Sequence, residues 1–159
     1  MISPVTLRQY PFFAQLNEEQ IKCLVAVSHE ETAETGDFLF HSDDDLIHFY
    51  MVIEGEFEII FEVPKLEVDY ENLGQPSRLK IENVVFSKVS PGDILGWSGL
   101  VSPFKATSGC RAKSSSKIIA FNCKKLLQCF ENDCQFGFYM IQTAAQVIGK
   151  RLHAIYKGG

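Results

Sequence analysis

Residues 48–63 read HFYMVIEGEFEIIFEV, and this stretch decides the fold class. Its first half closes an apolar run from Leu46 to Ile53, of strand length, and Glu54-Gly55 then offers a tight hairpin turn. Beyond the turn the period is two. Phe57, Ile59, Phe61 and Val63 fall on one side, Glu56, Glu58 and Glu62 on the other. Such alternation marks an antiparallel strand with one face on a core and one in water.

Upstream, Phe38 and Phe40 alternate with Leu39 and His41, and Ser42 to Asp45 forms a turn. The first ~30 residues read as helical. Asn17, with Gln20 three residues on, makes a capping box ahead of the apolar face of Ile21, Leu24, Val25 and Val27. Leu7, Phe12, Phe13 and Leu16 precede it as a short helix and turn bounded at Pro11, and Gly36 ends the region. Downstream, residues 64–79 are polar and carry Pro64, Gly74 and Pro76, which suits a long loop or an extended hairpin arm. Leu79 to Val89 reads as the returning strand. Ser90 to Asp93 is a turn, Ile94-Leu95-Gly96 follows, and Trp97 to Lys105 is short and irregular. Strands over 107–113 and 117–122 are joined by Ser114-Ser115-Ser116.

The chain ends in helices: a short one over 124–130, a new cap at Asn132-Asp133, and a long one over 134–156. On the long helix Phe138, Ile141, Ala145, Ile148, Leu152 and Ile155 are spaced by alternating threes and fours, a heptad-type seam. Met140, Ala144 and Val147 make a second stripe beside it. One stripe suffices for the helix's own core. The other predicts a homodimer through this helix, or an unidentified protein partner; a single wide stripe on one core is the alternative. The order of elements gives a mainly β domain with flanking helices, a jelly-roll-like antiparallel β-barrel over 36–122. N-terminal helices over 1–35 and C-terminal helices over 123–157 complete a single domain spanning 1–159.

Composition narrows the function classes. The 159 residues carry a net charge of −5 and no basic stripe, and Lys124-Lys125 and Lys150-Arg151 read as solvated helix edges, so no nucleic-acid partner is expected. No run approaches the ~20 apolar residues of a membrane span, and no secretory signal opens the chain, so a cytoplasmic location is expected. Five cysteines without a Cys-x-x-Cys pair are expected to be buried or surface thiols, not a disulfide framework. Cys123, Cys129 and Cys134 cluster but lack a tight ligand pair. His41 and His48 near Asp43, Asp44 and Asp45 offer the donors of a cupin-like metal site, yet the two alternating His and following Glu of that pattern are missing; no metal is expected. Ser98, Ser108 and Cys110 sit in no nucleophile elbow, so no catalytic residue is assigned.

In this order the segments resemble the cyclic-nucleotide-binding domain family. LRQYPFFAQL (7–16) is similar to its opening, ETGDFLF (34–40) to its turn into the first strand, FYMVIEG (49–55) to its central hairpin and PGDILG (91–96) to the approach to its ligand cassette. Arg111-Ala112-Lys113 matches the strand after that cassette, which spans 96–108. The resemblance covers residues 7–156 and implies a non-catalytic regulatory or sensor module with a small-molecule ligand, a cyclic nucleotide or another small anion. It implies a cassette built from Gly96, Trp97, Ser98, Gly99, Leu100, Lys105, Ala106, Thr107 and Ser108, with His153 and Tyr156 on a helical lid. Two positions depart from the family. Trp97 stands where a Glu accepts the ribose 2′-hydroxyl, and Ala106 where an Arg holds the phosphate; Lys105 offers a neighbouring charge but no bidentate fork. High-affinity cAMP or cGMP binding is therefore not expected. A second reading has Trp97 fill the pocket of a non-binding dimerisation scaffold, and a third is the metal-binding jelly roll. The sequence stops at Gly159 without a helix-turn-helix, which implies action through a partner or a fragment of a longer chain.

Overall fold

The computed structural model describes residues 2–68, 71, 74 and 78–158. Two short N-terminal helices, α1 (Pro4–Arg8) and α2 (Glu18–Ala26), flank a 3-10 turn at Pro11–Phe13. The capping box is formed: Gln20 N–H donates to Asn17 Oδ1 at 2.9 Å and Asn17 N–H to Gln20 Oε1 at 3.0 Å. Among the described residues eight strands follow: β1 (Ser28–Ala33), β2 (Phe38–Phe40), β3 (His48–Glu54), β4 (Phe57–Glu67), β5 (Arg78–Val89), β6 (Ile94–Leu95), β7 (Gly109–Ala112) and β8 (Ser116–Asn122). Helices α3 (Cys123–Asn132) and α4 (Cys134–Gly158) close the chain.

The strands form two antiparallel four-stranded sheets, ordered β1-β8-β3-β6 and β2-β7-β4-β5. Tyr50 and Val52 of β3, Ile118 and Ala120 of β8, and Phe57 and Ile59 of β4 fill the space between them. The intervening residues of β3 and β8, Phe49, Met51, Ile119 and Phe121, point to the other side and pack under the helices with Phe13, Leu24, Phe136 and Met140. The apolar run at 46–53 thus serves two cores, one on each face of its sheet. This is the jelly-roll arrangement expected, although no described ladder joins the two sheets into a closed barrel.

Three expectations change, and one open alternative is decided. Ser28–Ala33, read as part of the N-terminal helices, is β1, because it pairs with β8 from Ser28↔Phe121 to Ala33↔Ser116. The segment after β4 is the extended arm: β4 and β5 pair out to Glu67↔Arg78, while the tip at 69–70, 72–73 and 75–77 lies outside the described residues. Phe61 and Val63 keep the inward side of β4 but are exposed, because β7 pairs only with Phe57 to Ile60 and the arm outruns the sandwich. Finally, Cys23 of α2 and Cys129 of α3 form a disulfide across 106 residues, whereas thiols were expected; Cys110 and Cys123 are free and buried and Cys134 is free and exposed. None of the described helices is long and apolar enough to cross a membrane.

Candidate functional site: the cassette and the helix over it

Gly96 opens the cassette in the left-handed region (φ +73°), and a Cβ there would lie 3.0 Å from the His48 carbonyl oxygen. That turn is open to glycine at low cost and to other residues only with strain. It starts a one-turn 3-10 helix, Trp97–Leu100, in which Gly99 N–H bonds the Gly96 carbonyl at 3.0 Å. The returning segment enters through Ala106, which exchanges backbone hydrogen bonds with Asp43 and Asp44.

Between the sheets these pieces enclose a cavity of only about 20 Å³, lined by Gly96, Trp97, Ser98, Ala106, Thr107 and Ser108. That is room for about one water molecule. A second cavity of about 190 Å³ lies next to it, and Trp97, Thr107, Ser108 and Arg151 border both. Trp97 is half-buried and packs against the helix-side core. Ser98 is buried, with its hydroxyl 3.5 Å from that of Thr107.

Three of the cassette residues expected from the sequence are elsewhere. Gly99 borders a different groove, beside Leu46 and Cys123, and Leu100 is buried in the helix-side core. Lys105 faces out and pairs with Asp45 at 2.9 Å, which raises its pKa; it brings no charge to the cavity. The alternation of side chains along an extended segment sends Ala106 in and Lys105 out.

The cation inside comes instead from α4. Arg151, taken from the sequence as solvated helix edge, is half-buried, borders the cassette cavity, and donates from Nη2 to the Ile94 carbonyl. Burial pulls its pKa below the ordinary arginine value, with Asp93 and then Cys110 opposing. A guanidinium stays charged regardless. It has five N–H donors, and among the described residues only the Ile94 carbonyl accepts from it. Burial also pushes the Cys110 thiol up to about 12, Arg151 opposing. The signal for Arg151 was in the sequence: it extends the stripe Met140, Ala144, Val147 by four further residues, onto the face that packs inward. The lid positions are corrected as well. His153 and Tyr156 are exposed, Tyr156 at 82%, and it is Ile148, Arg151, Leu152 and Ile155 of α4 that border the neighbouring cavity.

The other chemistry does not assemble. His41 bonds with Glu62 at 3.1 Å and stacks on Phe38, while His48, in the opposite sheet, sits edge-on to His29; burial lowers the His48 pKa. Among the described residues no three His, Cys, Asp or Glu side chains are placed to hold a metal ion. Cys123, Cys129 and Cys134 do not converge, since Cys129 is bonded to Cys23.

A family model described as "Cyclic nucleotide-binding domain" matches residues 30–133. None of the curated proteins matches the chain at the sequence level. Among solved structures, a candidate cyclic nucleotide-binding protein from Geobacter metallireducens GS-15 is similar at 29% identity and a TM-score of 0.78, over 96% of this chain and 100% of that one. The N-terminal domain of a transcriptional regulator from Streptomyces coelicolor A3(2) has 24% identity and a TM-score of 0.60, over 94% of each. The regulatory domain of Toxoplasma gondii PKA, solved with cAMP, has 19% identity and a TM-score of 0.61, over 79% of this chain and 42% of that one, and shares the fold. With its two sheets, its Gly96 turn and its one-turn cassette helix, the chain belongs to the cyclic nucleotide-binding domain family.

Proposed function

We propose that this chain is a non-catalytic regulatory module that senses a small phosphate-bearing or similar anion, with Arg151 of α4 as the anion's main contact. The observation that carries this reading is a half-buried guanidinium at the cassette with most of its donors unused. Ser98, Thr107 and Ser108 add hydroxyl donors around the same space. An anion taking up those donors replaces the Ile94 contact and ties α4 to the cassette, shifting the population of α4 packings by its differential affinity for them. Charge-assisted contacts of this kind are the strong ones.

The same geometry argues against tight cAMP or cGMP binding. Pockets for nucleotide-sized ligands take about 300–1,000 Å³, and neither the cassette cavity nor its neighbour reaches that. Such a ligand must displace Trp97 or lift α4, and it meets no carboxylate at position 97. The fluorescence of Trp97, the only tryptophan, tests the proposal directly. Titration with cAMP, cGMP and inorganic phosphate is expected to give a saturable change at millimolar concentration with at least one of them. Arg151→Gln is expected to weaken it by about tenfold or more, the loss of a charged hydrogen bond. No response from the three probes, or an unchanged response in the variant, sinks this reading.

The second reading, a dimerising scaffold with a shut pocket, rests on the exposed apolar stripe of α4. Phe138 is 69% and Leu152 51% exposed.

A further inference from the structure

A groove of about 540 Å³ lies on the far side of the cassette turn, between the approach to β3, the Phe104 loop and the N-terminal half of α3. Its lining is mostly apolar: Leu46, Ile47, Phe104, Cys123 and Leu127. Ile47 is 65% and Phe104 42% exposed, more than such large side chains show when they serve only a core. Phe104 holds a left-handed backbone (φ +64°), costly for an aromatic residue and maintained by bonds from its N–H to the Val101 carbonyl and from Leu46 N–H to its own carbonyl. Lys124 and Lys125 also border the groove, and among the described residues neither makes an ion pair.

An apolar trough bordered by two unpaired ammonium groups is complementary to a molecule with an apolar body and one anionic end. The volume is that of a small-molecule site. We infer that the groove binds a long-chain carboxylate, its head on Lys124 and Lys125 and its alkyl chain along Ile47, Phe104 and Leu127. The floor of the groove is the joint between cassette turn and α3: a Cβ on Gly99 would lie 2.7 Å from Cys123 Sγ and 3.2 Å from Leu46 Cβ. An occupant therefore touches both, across Leu46 from the Arg151 cavity, which that side chain also borders.

The test is calorimetry with dodecanoate below its micellar range, against dodecanol, which has the same chain without the charge. Saturable one-site binding of dodecanoate is expected, with dodecanol about tenfold weaker or worse. The exposed double variant Lys124→Gln/Lys125→Gln is expected to weaken dodecanoate similarly, and Ile47→Glu, also on the surface, to abolish it. Hydrogen exchange should slow in residues 97–104 and 123–127. Absence of dodecanoate binding, equal binding of dodecanol, full affinity in the lysine variant, or protection confined to other segments overturns the inference. So does a groove that takes only an acidic amphipathic peptide and not the carboxylate. Arg151→Gln leaves this binding unchanged, which separates its outcome from that of the cassette proposal.

Discussion

Gly96 and Gly36 share a left-handed backbone, at φ +73° and +93°, but not the same surroundings. A Cβ at 36 meets nothing within 4 Å, whereas one at 96 would press on the His48 carbonyl oxygen and the Tyr50 ring. Gly36→Ala should therefore show the backbone cost alone, about 1–2 kcal/mol. Gly96→Ala should cost more and should also shift the emission of Trp97. Urea unfolding of the two variants reads this out; equal losses would mean that the turn at 96 relaxes freely. Residue by residue, the cassette was legible where its backbone is set by glycine, at the Gly96 turn. It went unread at Lys105, and at Arg151 despite the stripe of Met140, Ala144 and Val147 that leads to it. Lys105 lies between Phe104 and Ala106 and Arg151 beside Lys150, and in each case the direction of the side chain separates a surface ion pair from a half-buried guanidinium.

Elements were read well wherever periodicity was strong, and the exceptions have a common cause. Ser28–Ala33 has a polar, partly charged sequence, SHEETA, so its strand character comes from pairing with β8 and not from its own pattern. Phe61 and Val63 obey the alternation but run past the part of the sheet that could cover them. Helix α4 shows both stripes in use or on offer: Phe136, Met140 and Ala144 are buried, while Phe138, Ile141, Leu152 and Ile155 face out. A helix with that second face left open is expected to self-associate, with aromatic anchors dominating the energy. Light scattering across a dilution series should show a dimer, and Phe138→Glu with Leu152→Glu should raise its dissociation constant by about a hundredfold, ~2.7 kcal/mol. A monomer throughout the series would leave the stripe to other partners and remove the dimer reading.

At the scale of the molecule, one sheet separates two cores, and a disulfide ties α2 to α3 within the helical layer. The Cys23–Cys129 pairing was invisible in the sequence, because spacing alone does not give connectivity and the partners stand 106 positions apart. It is directly countable. Unfolded without reductant, the chain should offer three thiols to an alkylating reagent, and five after reduction; five in the unreduced protein would refute the bond. In the native state Cys134 should react first, since Cys110 and Cys123 are buried and burial pushes both thiols up to about 12. Reduction should lower stability by about 2–4 kcal/mol. The bond also has a mechanical consequence. It encloses both sheets and the cassette in a covalent ring, while α4, with Arg151 and the open stripe, hangs outside. A pull on the two ends of the oxidised chain can lengthen only what lies before residue 23 and after residue 129. Tension applied at the C-terminus would strip α4 away and leave the two sheets folded beneath it.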